Sequence, residues 1–249
     1  MVPLSLGELP LLQTWSINLR RLLTQQRVLA VISDQRVVCS WRSKSGWVWR
    51  SETWPVGCCR DGHPMQQEAM GELLADLFLD ADLMGPQVEL VLPLESCEWR
   101  VVNGISVDQL AMGDRSPAWH HDLNWSLEPS NCYVSVAKCA ADVLALGVSR
   151  VVMQAWIDVV EMADLPLRRM DWCLSAALRA LNRLCSEWAG DLAWLLPSRR
   201  GLRLVLIRAG VPELDRCVSF EVDDPLAAWE ELVQAIEAWQ RINSAAPLG

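Results

Sequence analysis

Three apolar runs joined by connections of only a few residues constrain this chain more than any other feature. Arg27 to Ile32 is nearly all apolar. Arg36 to Trp41 alternates, with Val37, Cys39 and Trp41 on one face. Gly46 to Trp54 puts Trp47 and Trp49 on one face and Val48 on the other. A period of two marks a half-buried strand. Ser33-Asp34-Gln35 and Ser43-Lys44-Ser45-Gly46 separate the runs, and connections that short join antiparallel neighbours. The first lobe of the chain is therefore expected to be an antiparallel meander.

Before it, Leu12, Trp15, Leu19, Leu22 and Leu23 recur at helical spacing, which predicts a short amphipathic arm over Leu11 to Gln26. After it, the period changes again. Met65 to Asp80 carries Met70, Leu73, Leu74, Leu77 and Phe78 on one helical stripe. Gln87 to Leu92 and Glu98 to Val102 read as strands, and so do Cys132 to Ala137 and Val143 to Val148. The stretch between, Asn103 to Asn131, is rich in Gly, Pro, Asn and Asp and reads as irregular.

Ser149 suits the N-cap of a helix running to Ala163, broken by Leu165-Pro166-Leu167. Met170 to Trp172 is expected to be a very short strand, and Ser175 to Trp188 a helix. Asp191 to Leu196, Leu202 to Arg208 and Arg216 to Val222 read as three strands turning at Arg199-Arg200-Gly201 and Gly210-Val211-Pro212. A last helix over Pro225 to Ile242 is expected to turn Leu226, Trp229, Leu232, Val233, Ile236 and Trp239 inward. Strands interleaved with helices in this way give an α/β plan.

Composition excludes several classes. With 51% apolar and 21% charged residues over 249 positions, the chain can build a sizeable core and is not of the disordered type. Its formal net charge of -9 repels phosphate backbones and anionic lipid, so neither nucleic acid nor a bare membrane surface is an expected partner. No run of apolar residues is long enough for a membrane helix. Met1 to Pro10 lacks the basic start of a signal peptide and is interrupted by Glu8 and Pro10. A cytoplasmic location follows as the expectation. The nine cysteines are odd in number and irregularly spaced, and most sit inside apolar periodic segments, which predicts reduced thiols acting as small hydrophobes.

No familiar catalytic motif occurs: GxSxG, P-loop, GxGxxG and HExxH are all missing. Cys58, Cys59 and His63 could offer three metal ligands, but vicinal cysteines rarely bind one ion, so an ordinary loop is expected. His120 and His121, beside Asp122, read as solvated loop residues. Asp82, Glu89, Glu95 and Glu98 show no partner acid or base and read as surface carboxylates. Neither a metal nor a cofactor is expected. Tryptophan stands out, with fourteen against one tyrosine and two phenylalanines. Trp41, Trp47, Trp49 and Trp54 crowd one hairpin. They fit either cross-strand packing within the sheet or an exposed aromatic and arginine surface of the kind found at binding hot spots.

Several segments, in one order, resemble a known family. They are Trp54-Pro55-Val56 and Asp61-Gly62 followed by Glu68-Ala69-Met70, Val88 to Ser96 (VELVLPLES), Val143 to Asp171, Ser175 to Leu181 (SAALRAL) and Leu204 to Val218. Together they are similar to the PilM family of type IV pilus assembly proteins, with the cytoplasmic domain of the secretion protein GspL as a related second candidate. The resemblance implies an actin-like (ribonuclease H-like) α/β fold with a small inserted subdomain and a truncated second lobe. Its expected divisions are an arm at 1–26, a first lobe at 27–97, the insert at 98–172 and the second lobe at 173–249.

Departures from the family pattern bear on function. The family's first phosphate turn carries a glycine that admits nucleotide phosphates, whereas this chain has Ile32-Ser33-Asp34-Gln35-Arg36. Its second falls near Leu195 to Gly201, where Pro197 removes an amide donor. No room is left for a final adenosine-binding lobe, and Asp34 reads as a turn residue. The resemblance thus implies a non-enzymatic scaffold of a type IV pilus or competence machine, peripheral to the inner membrane. Its expected partner is the short cytoplasmic N-terminal segment of a PilN-like bitopic membrane protein. An ATP-binding actin-like ATPase with altered phosphate loops, or a GspL-like type II secretion component, are the alternatives. Trp99, Trp119 and Trp125, in or beside the insert, are the candidate partner-binding residues.

Overall fold

A computed structural model describes residues 26–102, 126–139, 142–184, 190–198, 201–219 and 225–244. The chain divides into two compact units, one made of Met1–Pro93 with Gln154–Cys173, the other of Leu94–Met153 with Leu174–Gly249.

The first unit is built on the expected meander. Strands β1 (Arg27–Ile32), β2 (Arg36–Ser43) and β3 (Gly46–Thr53) pair antiparallel in order. Loop residues Cys59–Arg60 (β4) and His63–Pro64 (β5) form a two-residue ladder of their own. Helix α1 (Gln67–Asp80) then leads to β6 (Gln87–Leu92), which lies parallel to β1. The completed sheet runs β10-β6-β1-β2-β3, where β10 is Leu167–Trp172. A parallel pair added beside an antiparallel meander is the ribonuclease H-like arrangement.

Alternation along these strands sends Val28, Ala30, Ile32, Val37, Cys39, Val88 and Leu90 into the core, all essentially inaccessible to water. Helix α2 (Arg150–Met162) enters this unit at Gln154 and buries Trp156, Val159 and Val160. It packs closely on α1: a Cβ on Gly71 would stand 2.7 Å from Cβ of Met162. Glycine is the residue that permits this approach.

Strand β10 is longer than the three residues expected. The carbonyl of Pro166 accepts a hydrogen bond from the Val88 amide at 2.9 Å, so pairing begins at the residue read as a breaker. Proline has lost only its donor, and its acceptor is free to join a ladder. Helix α1 starts two residues later than expected, after Gln66.

Tryptophans of the hairpin divide. Trp41 and Trp54 are buried, while Trp47 and Trp49 on edge strand β3 are 66% and 64% exposed. The alternatives of packed core and exposed surface each hold for half the set. Trp54 lies 6.3 Å from Trp156, ring centre to ring centre, in a tilted pair.

The second unit contains two three-stranded antiparallel sheets. Strands β7 (Cys97–Val102), β8 (Cys132–Cys139) and β9 (Asp142–Ser149) are ordered β7-β9-β8. Ser149 closes β9 and Arg150 opens α2, so the expected N-cap serine is the last residue of a strand. Strands β11 (Leu192–Ser198), β12 (Gly201–Arg208) and β13 (Val211–Ser219) follow helix α3 (Cys173–Leu184). They are ordered β11-β12-β13.

The β12–β13 connection is Ala209-Gly210, with φ of 46° and 80°, so Val211 and Pro212 belong to the strand and not to the turn. Strand β13 is at a sheet edge, where proline's missing donor costs little, and the register shifts beside it.

Helix α4 (Pro225–Ser244) covers this second sheet. Ala228, Leu232, Ala235 and Trp239 pack with Leu204, Leu206 and Val218. The helix is rotated from its expected setting: Leu226, Trp229 and Val233 are exposed. Small alanines let the helix lie close to the strands, and two apolar stripes compete for one core.

Candidate functional site

The β1–β2 turn is the position that the resemblance assigns to a phosphate cradle. Ser33 closes it, its amide and hydroxyl both donating to the Arg36 carbonyl at 3.0 Å. The Asp34 carboxylate accepts the amides of Asp61 and Gly62 at 2.9 and 2.7 Å. The Cys59 thiol also donates to it, at 3.6 Å. Asp34 is thus more than a turn residue, since it latches the loop from Pro55 to Pro64 onto the sheet.

Three indoles reinforce this frame. Trp54 donates to the Ser33 carbonyl at 2.9 Å, Trp156 to that of Gly62 at 2.9 Å, and Trp172 to that of Pro93 at 3.2 Å. Burial, then the adjoining Asp34 carboxylate, push the Cys59 thiol up to about 12, and burial alone does the same to Cys39. Cys58 donates to the Gln66 side chain at 3.4 Å. Both vicinal cysteines are therefore neutral thiols with oxygen partners, and His63 pairs through its backbone with Arg60.

A cleft of about 500 Å³ opens in the second unit. Trp99, Arg100 and Val101 of β7 form one wall, and Val211, Pro212, Glu213 and Asp215 of β13 the other. Each wall is the end strand of its own sheet. Trp99 is buried and its indole donates to Asp215 at 2.7 Å. The Arg203 guanidinium grips the same carboxylate with two hydrogen bonds, 2.7 and 2.5 Å long. Arg100 donates to the Trp99 carbonyl at 2.7 Å. A bidentate arginine–carboxylate pair fixes geometry as well as charge, so Trp99 is held at both its ring and its backbone.

Further along the same wall, Glu213 accepts the Trp239 indole at 2.6 Å. The Arg208 guanidinium lies 4.4 Å over the Trp239 ring. Two strand edges flanked by apolar Val101, Val211 and Pro212 suit an extended chain laid between them.

Of the three tryptophans expected to bind a partner, Trp99 lines this cleft; Trp119 and Trp125 lie outside the described residues, as do His120 and His121. Two carboxylates expected to be solvated have partners. Glu98 accepts the Ser126 amide at 3.1 Å and also its hydroxyl. Glu89 pairs with Arg168 at 2.6 Å. Sequence reasoning missed Arg100, Arg203 and Asp215. Trp99 and Asp215 are 116 residues apart, and nothing local to either marks the other. Among the described residues, no group of histidine, cysteine and carboxylate side chains could hold a metal ion, and no helix is long and apolar enough to cross a membrane.

No family model and no curated protein sequence matches the chain. Solved structures do. The chain is similar to one described as the PilM-PilN type IV pilus biogenesis complex, with a TM-score of 0.63 and 16% identity over 88% of this chain and 76% of that one. It is also similar to a Bacteroides thetaiotaomicron protein of actin-like ATPase fold and unknown function, with a TM-score of 0.52 and 8% identity over 86% and 77% of the two chains. A third is the cytoplasmic domain of EpsL, an inner-membrane component of the type II secretion system of Vibrio cholerae. There the TM-score is 0.50 and the identity 12%, over 78% and 72% of the chains. The fold is actin-like.

Proposed function

We propose that this chain is a non-catalytic scaffold of a type IV pilus or related secretion machine, stationed at the cytoplasmic face of the inner membrane. Its partner is the short cytoplasmic segment of a PilN-like bitopic protein, held as an extended strand. The observation that carries this reading is the cleft between β7 and β13, two end strands with a rigid tryptophan between them. Likeness in fold to the PilM-PilN complex and to EpsL supports the choice of machine.

A short peptide gains affinity from a few buried anchors, each worth about 2 kcal/mol or more. Here Trp99 is the fixed wall, and Trp119 and Trp125 are the proposed anchoring side chains. A glycine-free β1–β2 turn whose carboxylate is engaged by the loop supports the absence of nucleotide chemistry.

The test is binding of a synthetic PilN-like N-terminal peptide to the full chain, with melting temperature measured on each variant. Trp119→Ala and Trp125→Ala are expected to weaken binding while the fold holds. ATP with magnesium is expected to leave the melting temperature unchanged, since a ligand of the native state must raise it. If no such peptide binds, or losses of binding track losses of stability, or ATP stabilises the protein, the reading falls.

A further inference from the structure

Strand β3 is the outer edge of the five-stranded sheet, and two of its exposed side chains are tryptophans. The Trp54 amide donates to the Gln35 carbonyl. Because bonding alternates along an antiparallel strand, the even-numbered residues of β3 turn their amides and carbonyls toward β2. Trp47, Trp49 and Ser51 therefore present theirs outward. Among the described residues nothing pairs with that edge, and Lys44 and Glu52 at its two ends make no ion pair. Natural proteins seldom leave such an edge bare.

The strand is complementary to itself. A second copy related by a two-fold axis normal to the sheet keeps each face on its own side, so opposing residue numbers must sum to an even value. With Val48 opposite Val48, Trp47 faces Trp49 of the second copy on one side of the sheet. On the other side Lys44 at the hairpin turn comes beside Glu52 of the second copy, and Gly46 makes room for Arg50. Each contact occurs twice. Sliding the register by two places sets Glu52 against Gly46 and leaves Lys44 without a carboxylate; sliding by four sets Arg50 against Arg50. Only the first register uses both charges and both aromatic pairs, and cross-strand pairs of these kinds are favourable.

We infer that β3 is a homodimerisation edge, joining two copies through antiparallel β3–β3 pairing into one continuous ten-stranded sheet. The interface is short, so the dimer is concentration-dependent, and its contact pattern uses only residues of β3 and its hairpin turn. It is independent of the proposed peptide partner.

Sedimentation of the full chain over a range of concentrations, with hydrogen exchange on the same samples, provides the test. Wild type is expected to show a monomer–dimer equilibrium, with the Trp47, Trp49 and Ser51 amides protected only where the dimer forms. Lys44→Glu and Glu52→Lys should each raise the dimer dissociation constant by about tenfold, because two attractive pairs become repulsive. Combining the two substitutions should restore it. Trp49→Pro removes an outward donor without touching the β2 ladder and should abolish the dimer. A protein monomeric at every concentration overturns the proposal, whether its edge amides exchange freely or are protected by another part of the chain. A dimer indifferent to the single charge reversals, or one that the double reversal fails to restore, overturns it equally.

Discussion

The two units solve the same problem with different chemistry. In the first, the indoles of Trp54, Trp156 and Trp172 donate to backbone carbonyls. In the second, Trp99 and Trp239 donate to carboxylates, and each acid is accompanied by an arginine. Neutral acceptors tie loops to a sheet and are indifferent to salt. Ionic acceptors hold side chains in a fixed pose beside a cleft, at the expense of sensitivity to charge. A frame needs the first property, and the gripping surface proposed above needs the second.

The largest expected effect is at the frame. Trp156 is fully buried, so Trp156→Ala should lower unfolding stability by about 3–5 kcal/mol. Trp156→Phe keeps most of the packing and should lose about 1–2 kcal/mol with the indole's hydrogen bond to the Gly62 carbonyl, with no change on adding salt. Denaturant titration in low and high salt checks both, and strong salt dependence would break the contrast between the units.

Next comes the ionic unit. Asp215→Ala removes the acceptor that Trp99 and Arg203 share and should lower stability by about 2 kcal/mol. It should also shift the emission of Trp99, measured as the difference from a Trp99→Phe background. If stability and emission are both unchanged, the carboxylate is not what fixes the cleft wall.

The smallest effect is alkaline and again belongs to the first unit. Cys39 and Cys59 have thiols raised from 9.0 to about 12 in the folded chain. Below pH 9 both states keep the proton and nothing is lost. Between pH 9 and 12 the unfolded chain releases protons that the folded chain retains, so stability falls as pH rises. Each thiol should account for about 1 kcal/mol between pH 9 and 10. Cys39→Ala and Cys59→Ser should each flatten the profile, and a slope that neither variant alters would remove the thiols as its cause.

How much of this was legible beforehand differs by scale. The meander was plain, because alternation and short connections act within a few residues. Strand β10 was read too short: Leu165-Pro166-Leu167 was taken only as the break of a helix, whereas the Pro166 carbonyl already joins the ladder. Trp99 was read as a candidate from its place beside the insert, yet its partners were invisible, since β7 and β13 are remote in sequence.

What the sequence determined by itself is the set of periods: which stretches are strands, which are helices, and that the first three strands must be neighbours. Steric alternation and loop reach settle those locally. Only the tertiary structure decided which stripe of α4 is inside, leaving Leu226, Trp229 and Val233 in water while Ala228 and Ala235 are buried. It alone decided that Trp54 packs on Trp156 while Trp47 and Trp49 stand on an open edge. A hydrophobic period says that a face exists; which face meets the core depends on the shape and donors of elements far along the chain.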